Sequence, residues 1–252
     1  MGQGGLQGRL MDAADAYVAR LFPDRARRGE SLSRRGRARM RWNPDYCRGV
    51  ACSFDRAPHL AYDSRLSRLY HRFKCETRRQ YDVIRDAGIT VEPWVRPGQP
   101  YRDSGALRAA VLSTGILYVY LTDSGHGAGR TGYHPMLATT GISVRGVEFR
   151  YNDVFRAVHD VFGHVMFGND FSARGEFRAA FCHMGMYTPE IHPVLFTEQV
   201  AQISWYYFGP HLKRGEPRRY PDQKVFRFPP SFLDEFRGMF VMSETGSSGQ
   251  SL

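Results

Sequence analysis

Along the 252-residue chain, apolar positions recur mostly at helical spacing. Residues 10–22 carry a short amphipathic pattern that Pro23 stops. Between residues 60 and 87, Leu66, Leu69, Tyr70, Phe73, Thr77, Tyr81 and Ile84 return every three or four places, and Gly88 closes the run. This predicts a long helix. Two runs read as strands: residues 89–95, ended by Pro97-Gly98, and residues 116–122, I-L-Y-V-Y-L-T. Between them Ser104 is placed to cap a helix that reaches about residue 113. After a glycine-rich loop over residues 123–132, helical patterns occupy about 153–167, 172–187, 193–208 and 230–242. A loop with Pro210, Pro217 and Pro221 separates the last two. The pattern predicts a mainly α fold with a small β element. It divides into an N-terminal helix and basic arm (1–45), one helical catalytic domain (46–242) and a disordered tail (243–252).

Composition narrows the class. Hydrophobic residues at 42% and aromatics at 13% suffice for a buried core and exclude wholesale disorder. No run of about 18 apolar residues exists, and the N-terminus lacks an apolar signal core, so neither a membrane span nor a secretory signal is expected. The four cysteines show no C-x-x-C spacing, which suggests a reducing cytoplasm rather than a disulfide framework or zinc ribbon.

Net charge is +10, and 32 of the 35 basic residues are arginine. Residues 25–41 hold eight arginines against one acid, so seven of the ten net charges sit there. That segment is poor in apolar residues and contains Gly29, Ser31, Ser33 and Gly36, and so reads as a loop or mobile arm. It has no interleaved aromatics on which bases could stack. The expected partner is a small-molecule substrate, not nucleic acid or membrane. Oligomeric state leaves no mark on the sequence.

Gly127-x-Gly129-x-x-Gly132 follows a convincing strand and matches the dinucleotide fingerprint on paper. That chemistry needs a helix opening at the third glycine, but Tyr133-His134-Pro135 comes next. A lid beside an active site is the better expectation.

The strongest chemical signal is Phe155-Arg156-Ala157-Val158-His159-Asp160-Val161-Phe162-Gly163-His164. Val154, Val158, Val161 and Val165 form one apolar stripe, and Asn152 or Asp153 is placed to cap the helix. Two histidines and an aspartate are costly to bury in such a helix unless something coordinates them. At about 100° per residue, His159 and His164 point about 140° apart round a regular helix. They converge on one ion only if the helix widens locally, and Gly163 makes a π-bulge there reasonable. Asp160, four residues before His164, is either a ligand or an acceptor that orients a histidine.

A carboxylate from another helix should complete the set. Glu198 is the first candidate, because it lies on an otherwise uncharged helical stretch. Gln202, one turn on, would hold its free oxygen or face the substrate. Glu176 is the rival, with pairing to Arg174 or Arg178 as its competing role; if it too points inward, a two-metal site follows. Two histidines and one carboxylate leave about half an octahedral shell open, as mononuclear iron(II) oxygenases require. Zinc with the same ligands and a water would make a hydrolase.

The segment His159-Asp160-Val161-Phe162-Gly163-His164 resembles the H-[ED]-x-x-G-H iron motif of the pterin-dependent aromatic amino acid hydroxylases. Glu198, 34 residues after His164, is similar in placement to that family's glutamate ligand. The stretch from Phe167 to Glu176 is also similar to the segment that follows the family's second histidine. The resemblance covers roughly residues 150 to 210. It implies Fe(2+) bound by His159, His164 and Glu198, dioxygen as co-substrate and tetrahydropterin as a reductant, although no pterin-binding segment is matched. The same stretch resembles uncharacterised bacterial and phage proteins carrying F-R-A-V-H-D-x-F-G-H.

The expected function is therefore a non-haem iron(II) oxygenase acting on a small, aromatic or amino-acid-derived substrate. Asp160 and Gln202 would support the chemistry, and Arg174, Trp205, Tyr118 and His134 would contact substrate. Of Trp205, Tyr206, Tyr207 and Phe208, at least two are expected simply to pack the core. Two alternatives compete. One is an HD-type metal-dependent phosphohydrolase, which the sequence resembles through His134, His159-Asp160 and Asp222. The other is a non-catalytic polyanion-binding protein.

Overall fold

A computed structural model describes residues 5–27, 30–124 and 133–242. Helices α1 (Leu6–Leu21), α2 (Pro23–Arg27) and α3 (Leu32–Gly36) lead to strand β1 (Arg39–Met40), then α4 (Pro44–Arg56) and α5 (Ser64–Asp86). Strand β2 (Thr90–Trp94), helix α6 (Ser104–Thr114) and strand β3 (Ile116–Tyr120) make one crossover unit. Strands β4 (Thr139–Val144) and β5 (Val147–Arg150) form a hairpin. The remainder is α7 (Tyr151–His159), α8 (Ala173–Met184), α9 (His192–Leu195), α10 (Gln202–Phe208), α11 (Pro210–Lys213) and α12 (Pro230–Gly238), closed by β6 (Phe240–Val241). The fold is mainly α with a small β element, as the pattern predicts. Among the described residues each sheet has two strands: β2 beside β3 in parallel, and β4–β5 and β1–β6 antiparallel.

Buried apolar side chains from Leu10 to Phe240 join in one cluster. Helix α5 packs on α7, α8 packs on the end of the α7 helix, and α10 packs on α4. No helix of the described residues is long and apolar enough to cross a membrane.

Several boundaries differ from the pattern for local reasons. The long helix starts at Ser64, because Asp63 accepts the Leu66 N–H at 2.6 Å. Asp103, not Ser104, caps α6 through the Ala106 N–H. Asp153 is not a cap residue itself; from the third position of α7 it accepts the Arg150 N–H at 2.8 Å. Helix α4 begins at Asn43-Pro44, where the Asn43 side chain accepts two backbone N–H groups. The β4–β5 turn uses Arg145 (φ 49°) and Gly146 (φ 79°), a pair of left-handed residues of the kind tight hairpins favour.

The basic segment is not a free arm. Arg35 donates to the Phe181 carbonyl at 2.6 Å and lies over the Phe181 ring. Arg25 donates to the Gly185 carbonyl, and Arg178 of α8 donates back to the Gly36 and Ala38 carbonyls. Leu32 and Ala38 are buried. Backbone carbonyls at the end of α8 thus take up guanidinium donors that a solvated loop would have left in water. Arg28 and Gly29, the glycine loop at 125–132 and the tail at 243–252 lie outside the described residues.

Helix α8 approaches the preceding turn through Gly175, where a Cβ would fall 2.0 Å from Asp170 Oδ1 and 2.1 Å from the Asp170 carbonyl oxygen. Gly175→Ala is expected to destabilise the protein by about 3 kcal/mol or more, because backbone must move. Gly49→Ala, on the exposed side of α4 with nothing near its missing Cβ, should instead stabilise by about 0.5–1 kcal/mol. Urea unfolding of both variants reads the contrast.

Candidate metal centre

Helix α7 runs directly into a π-helical turn, Asp160–Val165, and a second π turn, Phe196–Ala201, joins α9 to α10. The first is closed by the Met166 N–H on the Val161 carbonyl, 2.9 Å away and five residues back. A π turn superposes residues five apart instead of three or four apart. His159 and His164 have that spacing, and their Nε2 atoms lie 3.2 Å from each other. Gly163 makes room for the pair: a Cβ there would sit 2.9 Å from His159 Cε1 and 3.0 Å from Ala179 Cβ on α8.

Helix α8 supplies the third group. Ser172 caps it by accepting the Gly175 N–H, and Glu176 follows in the first turn. Glu176 Oε2 stands 3.6 Å from His159 Nε2 and 3.5 Å from His164 Nε2. One ligand atom from each of His159, His164 and Glu176 lies within 4.8 Å of the others. The competing ion pairs of Glu176 do not form, since residues two apart on a helix face different ways. Arg178 turns to Asn169, Gly36 and Ala38, and Arg174 lies over Trp42.

The surroundings fix the ring of His164. Its Nδ1 is 2.9 Å from the Asn169 carbonyl, which can only accept, so Nδ1 carries the proton and Nε2 offers its lone pair inward. The Asn169 amide is tied in turn to the Gly163 carbonyl and to Arg178. At His159 the neighbour is Gln199, whose amide nitrogen lies against the ring nitrogens while its buried Oε1 has no partner. Turning that amide over puts Oε1 on His159 Nδ1–H, which satisfies both groups and frees Nε2.

Burial would raise the Glu176 carboxyl, but the charges and hydrogen bonds of His164 and His159 bring it down to about 2. Burial likewise opposes charge on His164, but Glu176, Asp160 and the Asn169 carbonyl together lift the metal-free imidazole to about 9, so an ion binding at Nε2 would displace a proton. His183, wholly buried behind the site, is pushed well down by burial and by the two histidine charges.

Glu198 does not join this trio. Its Oε1 accepts the Tyr70 hydroxyl and lies 3.2 Å from His134 Nε2, while Oε2 accepts from Gln202 at 3.3 Å. His134 Nδ1 accepts the Met136 N–H, so its Nε2 bears the proton; that nitrogen lies near Glu198 but makes no hydrogen bond among the described residues. Tyr70 and Gln202 are thus the hydrogen-bond donors to this buried acid among the described residues. Among the described residues the group that could hold an ion takes its carboxylate from Glu176 rather than from Glu198, and Gln202 donates to Glu198.

Asp160 lies outside the trio but lines the same cavity, of about 440 Å³, with Arg156, Tyr206, Tyr207, Tyr220 and Gln202. Burial raises the Asp160 carboxyl against the charges of His164, His159 and Arg156. Of the expected substrate contacts, Trp205 is buried, donates to Asp55 and stacks on His211. Tyr118 packs on Trp94 at an exposed strand face, and Arg174 is exposed over Trp42. Trp205, Tyr118, Arg174 and His134 do not line the cavity, nor does Asp222. Arg156 does, and its signal was its place one turn before His159 and Asp160 on the same face.

No protein-family model, curated protein or solved structure matches the chain significantly.

A divalent ion titrated into metal-stripped protein is expected to bind once per chain, and His159→Ala, His164→Ala and Glu176→Ala should each abolish binding in calorimetry. Glu198→Ala should still bind. Gln199→Leu, which removes the group on His159 Nδ1, should weaken affinity by roughly 10–100-fold.

Proposed function

We propose that the chain is a mononuclear non-haem iron(II) oxygenase in which His159, His164 and Glu176 hold the metal. The observation that carries this reading is the convergence of two imidazole Nε2 atoms and one carboxylate oxygen on a cavity wall. The donor set fits the ion: two neutral nitrogens and one anion, with His164 turned by Asn169 so that its lone pair faces the other donors. Three protein ligands leave the cavity side for dioxygen and substrate, and iron(II) bound there would supply the electrons that activate dioxygen toward a substrate carbon.

The protein's own groups would orient the substrate. Arg156 makes one hydrogen bond among the described residues, to the Tyr120 carbonyl, and its other donors remain for an anionic group. Asp160, one turn on, has neither a hydrogen bond nor an ion pair among the described residues and suits a cationic or donor group. Tyr206 and Tyr220 stack on one another at the cavity, with ring centroids 4.8 Å apart. This lining supports a small, aromatic or amino-acid-derived substrate. A phosphohydrolase of HD type draws less support, because it needs Asp160 among the ligands and a second histidine near them, whereas His134 is turned to Glu198.

Protein purified without oxygen is expected to carry about one iron per chain and to consume dioxygen with a turned-over substrate. Zinc as the native metal, with hydrolysis and no dioxygen uptake, would sink the proposal. Arg156→Met should raise KM for an anionic substrate by roughly 10–100-fold while iron content is retained, as expected for losing a charged hydrogen bond of about 1.5–3 kcal/mol.

A further inference from the structure

Glu198, displaced from the metal trio, sits where a phenol delivers its proton. Tyr70, 1% exposed, donates its hydroxyl hydrogen to Glu198 Oε1. From Tyr70 a line of tyrosines leads outward. The Tyr62 ring is 6.4 Å from Tyr70, and the Tyr133 ring is 5.4 Å from Tyr62, centroid to centroid. Tyr133 is 62% exposed, and its hydroxyl reaches that of Tyr62 at 3.5 Å. Inward, Tyr70 meets Phe73 at 6.4 Å, Phe73 meets Phe155 at 5.0 Å, and Phe155 meets the candidate ligand His159 at 6.4 Å. A shorter connection also exists, since Glu198 is followed in the chain by Gln199, whose amide touches His159. Aromatic rings therefore run without a break from solvent to the metal trio.

Ordinary packing accounts for phenylalanines in such a line. It does not account for a buried phenol aimed at a buried carboxylate, whose other oxygen accepts from Gln202 and beside which the His134 ring lies. We propose that Tyr133, Tyr62 and Tyr70 form a one-electron relay between a reductant in solvent and the metal centre, with Glu198 as the proton acceptor of Tyr70. The proposal rests on the redox reading of that centre.

The steps balance. An electron leaves Tyr70 for the dioxygen-oxidised centre, the Tyr70 O–H bond breaks, and its proton moves to Glu198 Oε1. An electron from Tyr62 refills the neutral phenoxyl radical as the proton returns from Glu198. Tyr62, half-buried, exchanges its own proton with water and is refilled through Tyr133. The terminal donor is a small one-electron reductant of the ascorbate class. Moving proton and electron together avoids a phenol radical cation in a buried site, where an unpaired charge is costly.

Photo-oxidation tests the relay without iron. Metal-stripped, full-length protein is flashed with a soluble ruthenium photo-oxidant and its quencher, then frozen for EPR. A phenoxyl radical is expected whose yield falls about tenfold or more in Tyr70→Phe and in Glu198→Gln, and whose formation slows in Tyr133→Phe. Tyr81→Phe, a buried tyrosine outside the line, should leave the yield unchanged. Equal yields in wild type, Tyr70→Phe and Tyr133→Phe would overturn the relay whatever the metal proves to be. In iron-loaded protein exposed to dioxygen without substrate, the same radical should appear and should vanish in Glu176→Ala, while the photochemical radical of Glu176→Ala persists. Loss of only the dioxygen-driven signal in wild type would count against the iron reading and leave the photochemical result to judge the relay.

Discussion

The site depends on one departure from helical geometry, the π turn at Asp160–Val165. One residue fewer in that turn would swing His164 by about 100° away from His159, and the two nitrogens would no longer meet. The widened turn demands space, and Gly163 provides it, since a Cβ there would press on both the His159 ring and Ala179 of α8. Close approach of α8 then carries Glu176 into place, and Gly175 lets the start of α8 pack onto Asp170 in the turn before it. Each element of the trio is thus a consequence of the one before it. Removing the widening would cost the site its geometry even with every ligand type retained.

The same cavity region contains two buried carboxylates, and the backbone sorts them. Glu176 meets two imidazole nitrogens and, among the described residues, no hydroxyl or amide donor, an environment that favours its anionic form. Glu198 accepts from a phenol and an amide, with the His134 ring nitrogen 3.2 Å from its carboxylate. The difference traces to what each histidine meets on its far side. Asn169 offers a carbonyl to His164, whereas Met136 offers an N–H to His134, so the two rings present opposite faces of their chemistry inward. A backbone acceptor turns a lone pair of one histidine toward the trio, and a backbone donor turns the protonated nitrogen of the other toward Glu198.

This sorting explains what was legible in the sequence. Helical spacing located α1, α5, α6, α7 and α8 to within a few residues, because their apolar stripes are long. The need for a widened helix between His159 and His164 was legible too, from the five-residue spacing and Gly163. Helix α4 and the β4–β5 hairpin were not, since α4 announces itself mainly through Asn43-Pro44 and the hairpin turns on Arg145 where Asn or Asp would be the usual signal. The choice between Glu176 and Glu198 was illegible for a deeper reason. Both are acids on largely apolar helices, and only the positions of Tyr70 and His134, distant in sequence, show that Glu198 already has partners. Neighbouring arginines argued for pairing Glu176 away, but helical geometry turns Arg174 and Arg178 to other faces.

The arginine excess belongs to the same logic. A π turn and the ends of helices leave backbone carbonyls without their usual partners. Arg108 donates to the Val165 carbonyl at the end of the π turn, and Gln7 to the Met166 carbonyl beside it. Arg35 and Arg25 serve the Phe181 and Gly185 carbonyls at the end of α8. A lysine offers a single point charge on a flexible stem, whereas a guanidinium holds several donors in a fixed plane and can bond a carbonyl while stacking on a ring. Arg35 does both, over Phe181. Two of the eight arginines of the N-terminal segment, Arg25 and Arg35, are thus bonded to backbone carbonyls at the end of α8, the helix that carries Glu176. Those two guanidinium groups are committed to the frame behind Glu176, whereas Arg37, Arg39 and Arg41 of the same segment are exposed, so the segment divides its charge between fastening α8 and facing solvent.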